Sequence, residues 1–194
     1  MKSNEEEEDI PEVDITINNV VSTFRTRCHL NLRQIATQGF NVVYKRELGM
    51  VTMKLRYPKI SANICSSGKI TVSGAHSYDD AKKGARRIAR ILQNLGFKVK
   101  FTDFRVINVL GNVDCPFGIK ISQFTEHYRG VCSYEPELHP GATYRYKEAK
   151  ATLKIFQTGA LTILAPSISN VQLAVEHIYP LVFEFKKEKP VKDR

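Results

Sequence analysis

The fold of this chain is decided by the stretch ISANICSSGKITVSG, residues 60–74. Apolar and polar residues alternate on both sides of Gly68, a pattern typical of two antiparallel strands joined by a tight turn. The same order recurs at residues 151–165, ATLKIFQTGALTILA, where Gly159 stands 91 positions after Gly68. Because both copies place a turn glycine between two alternating segments, the sequence predicts an internal duplication.

A second match extends the duplication toward the start of each copy. Asn19-Val20-Val21 recurs as Asn108-Val109-Leu110, 89 positions later. In the first copy we predict strands at 15–24, 40–45, 50–56, 60–65 and 69–74, a short helix capped by Asn31 with Gln34, and a long helix from Ser77 to a stop at Gly96. In the second copy we predict strands near 99–110, 131–134, 142–147, 151–156 and 160–165, with helices near 121–127 and 169–184.

Each copy therefore indicates an α+β unit, a sheet with a long helix on one face. Two such copies would join their sheets and leave the opposite face open to solvent or to a partner. Strand alternation predicts that this open face carries Thr52, Lys54, Arg56, Ser61, Asn63, Cys65, Lys69, Thr71, Ser73, Thr152, Lys154 and Phe156. Such residues suit contacts to phosphates and to the minor groove of DNA, and an ordinary solvated sheet face is the alternative.

Asn19 and Asn108 favour the nucleic-acid interpretation because they are the same residue at equivalent positions of the two copies. Two amides near a pseudo-dyad would suit the acceptor atoms of an A·T minor groove. Each could instead be a turn or strand-end asparagine.

Charge points in the same direction. The chain has 194 residues and a net charge of +9. Residues 1–14 hold seven acids and one base, so the remainder has 28 bases against 13 acids, a net charge of +15. A body this basic indicates a polyanionic or acidic partner, although many basic domains are merely soluble. The composition of the acidic residues 1–14 predicts a disordered N-terminal segment. The polar residues from Lys186 to Arg194 predict a frayed C-terminal tail.

The sequence argues against an enzyme and against a membrane protein. It contains no phosphate-binding glycine motif and no cluster of histidines and cysteines at metal-ligand spacing. The four cysteines, at 28, 65, 115 and 132, are scattered and include no C-x-x-C pair. No apolar run is long enough to cross a membrane, and the first twenty residues do not resemble a secretory signal. We therefore expect no catalytic residue, no metal, no cofactor, no small-molecule substrate and no membrane partner.

Several stretches make the chain resemble the TATA-box-binding protein (TBP) family. They are Ser66-Ser67-Gly68-Lys69, Ala89-Arg90, Gln93-Asn94-Leu95-Gly96-Phe97, Ser133-Tyr134-Glu135-Pro136-Glu137-Leu138 and Ile178-Tyr179-Pro180. The resemblance covers about residues 15–188 and implies the TBP saddle, two pseudo-symmetric repeats that form one curved antiparallel sheet with helices on the convex face. It divides the chain into an acidic tail at 1–14, repeats at 15–104 and 105–186, and a basic polar tail at 187–194.

The chain is most similar to the TBP-like branch of that family. Residues 26–32, TRCHLNL, residues 44–49, YKRELG, and Leu138-His139-Pro140 carry this likeness. TBP saddles kink the minor groove with two pairs of phenylalanine wedges, and the resemblance places those positions at Leu48, Cys65, His139 and Phe156. Only Phe156 keeps the phenylalanine wedge, and a bend costs about 1–10 kcal/mol that inserted rings help to offset. We therefore expect a TATA duplex bent as TBP bends it to be unfavourable here.

The resemblance also implies the remaining site residues. DNA-contact positions of the concave face that match the family, or keep its charge, are Asn19, Val21, Lys54, Arg56, Ser67, Lys69, Asn108 and Arg145. Glu47 replaces a basic residue, while Asn63, Thr71 and Lys154 make the floor more polar. The basic helix residues Lys82, Lys83, Arg86, Arg87 and Arg90 would contact the transcription factor TFIIA, and Glu135, Glu137 and Leu138 would contact TFIIB. A solvated helix face and a plain turn are the respective alternatives.

From these observations we expect a general transcription factor for RNA polymerase II initiation at TATA-less promoters, with weak or no TATA-box binding. Double-stranded DNA would be held weakly or through other factors, and the location would be the nucleus, with the cytoplasm left open. Two alternatives remain. The chain could be a genuine TATA-box binder, or it could be an interaction module that sequesters TFIIA without contacting DNA.

Overall fold

A computed structural model describes residues 10–189. The chain divides into two compact units. The first unit comprises residues 17–111 and 164–168, and the second comprises 10–16, 112–163 and 169–189 among the described residues. The acidic residues 1–9 and the end of the basic tail, 190–194, lie outside the described residues, so the predictions made for them stay predictions.

The first unit contains the elements of the first predicted copy. They are β1 (Ile15–Arg25), α1 (Leu32–Gln38), β2 (Val42–Lys45), a 3-10 turn (Arg46–Leu48), β3 (Met50–Leu55), β4 (Ile60–Cys65), β5 (Lys69–Ala75), α2 (Tyr78–Asn94) and most of β6 (Thr102–Asp114). The strand order is β2-β3-β4-β5-β1-β6. Phe24, Ile64, Ile70, Ile88 and Leu92 are fully buried, because α2 packs its apolar side against one face of the strands.

The second unit contains the elements of the second copy. They are β7 (Gly118–Ile119), α3 (Ile121–His127), β8 (Cys132–Ser133), β9 (Gly141–Tyr146), β10 (Ala151–Phe156), β11 (Ala160–Ala165), α4 (Ile168–Phe183) and β12 (Lys186–Lys187). The strands follow the order β11-β10-β9-β8, and β12 pairs with β7 as a separate two-stranded sheet. Phe124, Leu153, Ile155, Ile163 and Ile178 are fully buried.

The helix boundaries follow the predicted caps. Ser77 accepts the backbone N–H of Asp80 at 3.1 Å and begins α2, and Gly96, at φ +98°, stands just beyond its end. Asn31 accepts the N–H of Gln34 at 3.2 Å and begins α1. The reciprocal half of that capping box is absent, because the Gln34 amide instead donates to the Leu95 carbonyl at 3.0 Å. A tertiary contact thus replaces a local one.

Three segments of the structure differ from the sequence prediction. The strand expected near 99–110 begins at Thr102 and continues to Asp114. Strand β7 was not predicted, since two residues are too few to show alternation. The first residues of the expected frayed tail, Lys186 and Lys187, form β12, because they find backbone partners in Ile119 and Gly118. Among residues 10–189, no helix is both long and apolar enough to span a bilayer.

Candidate nucleic-acid interface

The face of the first unit opposite its helices carries a row of polar side chains. In the strand register, Thr52 lies opposite Asn63, and Asn63 lies opposite Thr71. The flanking residues Ile64 and Ile70 are fully buried toward the helices, so alternation turns the polar row the other way. The face that the sequence predicted to be open is therefore polar in this unit, although Thr52 itself is buried there.

Cross-strand hydrogen bonds join polar side chains on this face of each unit. The Thr52 hydroxyl donates to the Asn63 amide oxygen at 2.8 Å. The positions 91 residues later are Thr143 and Lys154, where the Lys154 ammonium donates to the Thr143 hydroxyl at 2.6 Å. Both units thus have a polar pair at this position of the open face. Polar groups there can form hydrogen bonds with base edges or phosphates.

Asn19 is anchored by the backbone of β5. Its side-chain oxygen accepts the Gly74 N–H at 2.7 Å. Gly74 has φ +99° and lies where the β1–β5 register shifts between Val20 and Ser22, so the bond closes a β-bulge. Because the oxygen is used, the amide NH₂ is the end left to meet acceptors, which is the group an A·T minor groove requires. Its counterpart Asn108 is half-buried on β6.

The four predicted wedge positions differ between the units. In the first unit Leu48 is 64% exposed at the end of the 3-10 turn, and Cys65 is half-exposed at the end of β4. In the second unit the rings of His139 and Phe156 lie 5.9 Å apart at an angle of 49°. The His139 Nδ1 accepts the Gly141 N–H at 2.9 Å, which fixes the imidazole beside Phe156. The second unit therefore has a ring pair, and the first unit has no ring at these positions.

The other predicted DNA-contact residues are accessible. Lys54, Arg56, Ser67, Lys69 and Arg145 are exposed, and Val21 is half-buried. Sequence reasoning missed two arginines, Arg25 and Arg105, which line a groove together with Lys69. Alternation could have found Arg25 if the first predicted strand had been extended by one residue.

Helix α2 presents its basic residues in several ways. Lys83, Arg86, Arg87 and Arg90 are exposed, and Lys82 is half-buried. The Arg86 guanidinium lies 5.9 Å from the centre of the Phe101 ring, and the Lys82 ammonium lies 5.7 Å from that of Tyr78. Arg87 donates to the Tyr57 carbonyl. These contacts hold Lys82, Arg86 and Arg87 against neighbouring groups. The exposed cations of α2 remain accessible to an acidic partner.

The segment after β8 forms a tight exposed turn. The backbone N–H groups of Leu138 and His139 both donate to the Glu135 carbonyl at 3.0 Å. Glu135 and Glu137 are exposed, and Leu138 is 81% exposed. An apolar side chain held out beside two carboxylates is suited to a protein partner with an apolar pocket and basic residues.

The described residues can be compared with two requirements of catalytic sites, a metal-binding cluster and a reactive thiol. Within residues 10–189, no group of three or more histidines, cysteines or acids could hold a metal ion. Burial raises the pKa of the Cys115 thiol to about 11 and also raises the pKa of Cys132. Both thiols therefore stay protonated near neutral pH, and a protonated thiol is a poor nucleophile.

Comparison with known proteins gives a consistent result. The family model described as "Transcription factor TFIID (or TATA-binding protein, TBP)" matches residues 14–95 and 103–185. The chain is 55% identical to TATA box-binding protein-like 1 of Danio rerio over 175 residues, which cover 90% of this chain and 94% of that protein. It is 39% identical to the TATA-box-binding protein of Emericella nidulans over 174 residues, which cover 89% of this chain and 65% of that one.

A solved structure extends the likeness to the fold. Methanococcus jannaschii TBP superposes with a TM-score of 0.78 at 25% identity, covering 88% of this chain and 99% of that one. The α+β, TBP-like fold class expected from the sequence is therefore confirmed.

Proposed function

The chain belongs to the TATA-binding-protein family, and on that premise we propose that it acts in RNA polymerase II initiation at TATA-less promoters with weak or no TATA-box binding. A general transcription factor role, without catalysis, follows from the family itself. The finer proposal adds TFIIA and TFIIB as partners and the nucleus as the location. The alternatives are a genuine TATA-box binder and a module that sequesters TFIIA without DNA contact.

The observation that carries the proposal is the side-chain chemistry of the wedge positions. A duplex kinks when apolar rings enter its base steps, and each unstacked step costs about a few kcal/mol. Cys65 is too small to replace a ring, and the His139 imidazole is polar and bonded to the Gly141 backbone. One phenylalanine wedge, Phe156, remains to offset the unstacking cost. A strongly bent TATA complex is therefore disfavoured.

Basic and polar residues favour retained DNA affinity over its complete loss. Lys54, Arg56, Lys69 and Arg145 are exposed and lie on strands or turns of the two units. Phosphate attraction of this kind depends on salt and carries no sequence preference. We expect weak binding to a duplex that stays nearly straight. Sequence specificity would come from other promoter-bound factors.

The partner surfaces support the same function. The cations of α2 offer a basic stripe to an acidic segment, which suits the TFIIA contact that the family resemblance implies. The turn of Glu135, Glu137 and Leu138 offers the opposite charge beside an exposed apolar residue, which suits the TFIIB contact. The surface of α2 contains none of the wedge positions, whereas the turn is closed by the backbone N–H of the wedge residue His139.

One experiment tests the proposal against both alternatives. Electrophoretic mobility shifts are measured on TATA and TATA-less duplexes at a stated salt concentration, with and without TFIIA. We expect nearly equal, weak binding to both duplexes and a supershift with TFIIA. A hundredfold preference for TATA would support the genuine TATA binder, and TFIIA binding with no shift of either duplex would support the sequestering module.

The TFIIA surface has its own matched control. The double variant Arg86→Glu/Arg90→Glu should bind TFIIA at least tenfold more weakly in a pull-down titration, because two cations become acids. Lys98→Glu/Arg129→Glu makes the same charge change at two other exposed positions and should bind normally. Equal loss in both variants would assign the effect to net charge and remove this surface from the proposal.

A further inference from the structure

The polar row of the first unit runs straight across three adjacent strands. Thr52 of β3 lies opposite Asn63 of β4, which lies opposite Thr71 of β5. Asn63 and Thr71 are half-exposed, whereas Thr52 is 7% exposed. Because neighbouring strands lie about 4.8 Å apart, the three side chains stand next to one another. The two that reach the surface are an amide and a hydroxyl.

The Thr52 hydroxyl sets the direction in which the Asn63 amide faces. It donates to Asn63 Oδ1 at 2.8 Å. Since the oxygen faces β3, the NH₂ group of the amide faces the other way, toward β5 and Thr71. An amide nitrogen has two donor hydrogens, and a hydroxyl oxygen has two lone pairs that accept. A donor and an acceptor of fixed position therefore lie side by side on the open face.

The matching positions of the second unit carry a different pair. The residues 91 positions after Asn63 and Thr71 are Lys154 and Thr162, so an ammonium replaces the amide. An ammonium has three donors and no acceptor, and it is a point charge without the planar geometry of an amide. It attracts phosphates and base acceptors alike. The amide and hydroxyl pair is therefore a property of the first unit at this level of the sheet.

The minor-groove edge of a G·C pair matches the amide and hydroxyl pair. Both kinds of base pair present acceptors there, and a G·C pair adds the N2 amino donor of guanine. The Asn63 NH₂ suits the acceptors, and the lone pairs of the Thr71 hydroxyl suit the amino hydrogens. An apolar side chain in place of Thr71 would leave the guanine amino group without a partner, which is unfavourable in a closed interface.

The shape of G·C-rich DNA supports the same assignment. The minor groove of B-form DNA is about 6 Å wide, too narrow for a sheet unless wedges open it. G·C-rich segments favour A-like geometry, and the minor groove of an A-form helix is wide and shallow. Base edges in such DNA are accessible to a sheet face at a lower cost of deformation. A face with one phenylalanine wedge therefore favours DNA of this shape.

We infer that Asn63 and Thr71 recognise the minor-groove amino group of guanine, so that the first unit prefers duplex DNA with G·C pairs at its open face. Thr52 is the positioning residue, because it orients the amide and is itself buried. The inference rests on the proposed function and adds a base-pair preference to otherwise uniform weak binding. It concerns one or two base pairs and defines no promoter sequence.

The test uses a base analogue that changes the minor groove. Fluorescence anisotropy measures affinity for two 20-base-pair duplexes with a central run of G·C or of I·C pairs, at one salt concentration. Inosine is guanine without the 2-amino group, so the two duplexes have the same groups in the major groove. We expect about fivefold tighter binding to the G·C duplex, the low end of discrimination by base-edge hydrogen bonds. Equal affinities, or a preference for I·C, would overturn the inference.

Two variants test whether the named side chains cause the preference. Asn63→Lys copies Lys154 of the second unit and should bind both duplexes more tightly, while the ratio of affinities falls below about twofold. Thr71→Val removes the hydroxyl and should bring the ratio to one or below. Asn94→Lys adds the same charge at an exposed position of α2 and should keep the fivefold ratio. An unchanged ratio in Asn63→Lys or Thr71→Val would overturn the assignment. The ratio does not depend on the fraction of folded protein, since one preparation binds both duplexes.

The role of Thr52 is tested by rescue. Thr52→Val frees the amide to turn and should lower the ratio to about twofold, whereas Thr52→Ser keeps the hydroxyl and should restore it. A fivefold ratio in Thr52→Val would contradict the positioning role. The TFIIA supershift should be normal in every variant. A ratio of one together with weak binding and a normal supershift would overturn this inference alone, whereas absence of binding to both duplexes would also overturn the DNA contact of the proposed function.

Discussion

The two units build the same turn with the same backbone bonds and then diverge at the side chains around it. In the first unit the Thr26 N–H donates to the Gly68 carbonyl at 3.0 Å, and in the second the Cys115 N–H donates to the Gly159 carbonyl at 3.0 Å. A second bond is also repeated, from the Leu30 N–H to Ser66 at 2.9 Å and from the Ile119 N–H to Gln157 at 3.0 Å. Backbone geometry and core therefore fix the repeat, while the open face is free to vary.

The side chains of the open face differ in charge and in aromatic content between the two units. The first unit has a basic groove and no ring at its wedge positions. The second unit keeps Phe156 beside His139 and has Asp114 where the first has Arg25. One unit thus presents a basic groove, and the other presents a phenylalanine ring beside an imidazole. The comparison teaches that the two copies of one fold can carry different side-chain chemistry on corresponding faces.

The largest expected effect tests the shared turn. Gly159→Ala would place a Cβ 2.0 Å from the Phe117 carbonyl oxygen, and Gly68→Ala would place one 2.5 Å from the Cys28 carbonyl oxygen. Both glycines have positive φ, so we expect losses of about 4 and about 3 kcal/mol in the free energy of unfolding. Urea denaturation measures both. Gly130→Ala, which has open space around its Cβ, should change stability by less than about 0.5 kcal/mol. A mild effect at Gly68 and Gly159 would contradict the shared-turn account.

The next effect contrasts the thiols of the units. Cys28 and Cys65 of the first unit are half-exposed, whereas Cys115 and Cys132 of the second are buried. At pH 8 we expect a thiol reagent to modify Cys28 and Cys65 at least a hundredfold faster than Cys115, whose pKa is raised from 9.0 to about 11 by burial. Peptide mapping after timed labelling measures this, and rapid modification of Cys115 in the folded protein would contradict its burial.

The same thiol gives a signed pH dependence. The folded state keeps the Cys115 proton up to a pKa of about 11, while the unfolded chain releases it near the ordinary value of 9.0. Between these values unfolding releases a proton, so the contribution of Cys115 to stability is complete below pH 9 and is lost as the pH rises to about 11. Replacing Cys115 with Ala should flatten the stability curve in that window, and an unchanged slope would contradict the shift.

A smaller effect sharpens the wedge comparison. His139→Phe completes a phenylalanine pair with Phe156, and we expect about a tenfold gain in affinity for a TATA duplex, together with a larger bend by energy transfer. Leu48→Phe makes the same kind of change in the first unit and should give less than threefold, because its partner position is Cys65, which has no ring. Equal bending by both single variants and the parent protein would show that ring count does not govern the bend.

The smallest effect concerns the polar floor. Thr52→Val removes the donor to Asn63 and should cost about 1 kcal/mol in stability, because the amide oxygen is left partly buried without that bond. Thr143→Val removes the acceptor of Lys154 and should cost about 0.5 kcal/mol, because the half-exposed ammonium can bond to water instead. Urea titration measures both, and a reversed order would contradict this ranking.

Most of the fold could be predicted because its signals are local. The alternation around Gly68 and Gly159 places β4, β10 and β11 at the predicted bounds, and the caps at Asn31 and Ser77 give the starts of α1 and α2. Strand β12 could not be predicted, because Lys186 and Lys187 carry no alternation and pair only where Gly118 and Ile119 lie beside them. The Gln34 side chain does not complete the predicted capping box for a similar reason. It donates instead to the carbonyl of Leu95, which is distant in sequence.

The candidate site divides in the same way. The polar row of Asn63 and Thr71 followed from a period of two, which every strand imposes on its side chains. The groove of Arg25, Lys69 and Arg105 did not follow, because its residues come from three strands whose order along the sheet is not written in any local pattern. The neutralisation of Asp103 by Arg27 depends on the same long-range meeting.

The sequence by itself determined the duplication, the α+β class and the chemistry available at each wedge position, since periodicity, turn glycines and side-chain identity are properties of short segments. Tertiary structure alone decided which cations share a groove, which thiols lose contact with water and which asparagine oxygen is used by the backbone. These depend on distances between residues far apart in the chain, and such distances exist only after the strands have paired and the helices have packed on them.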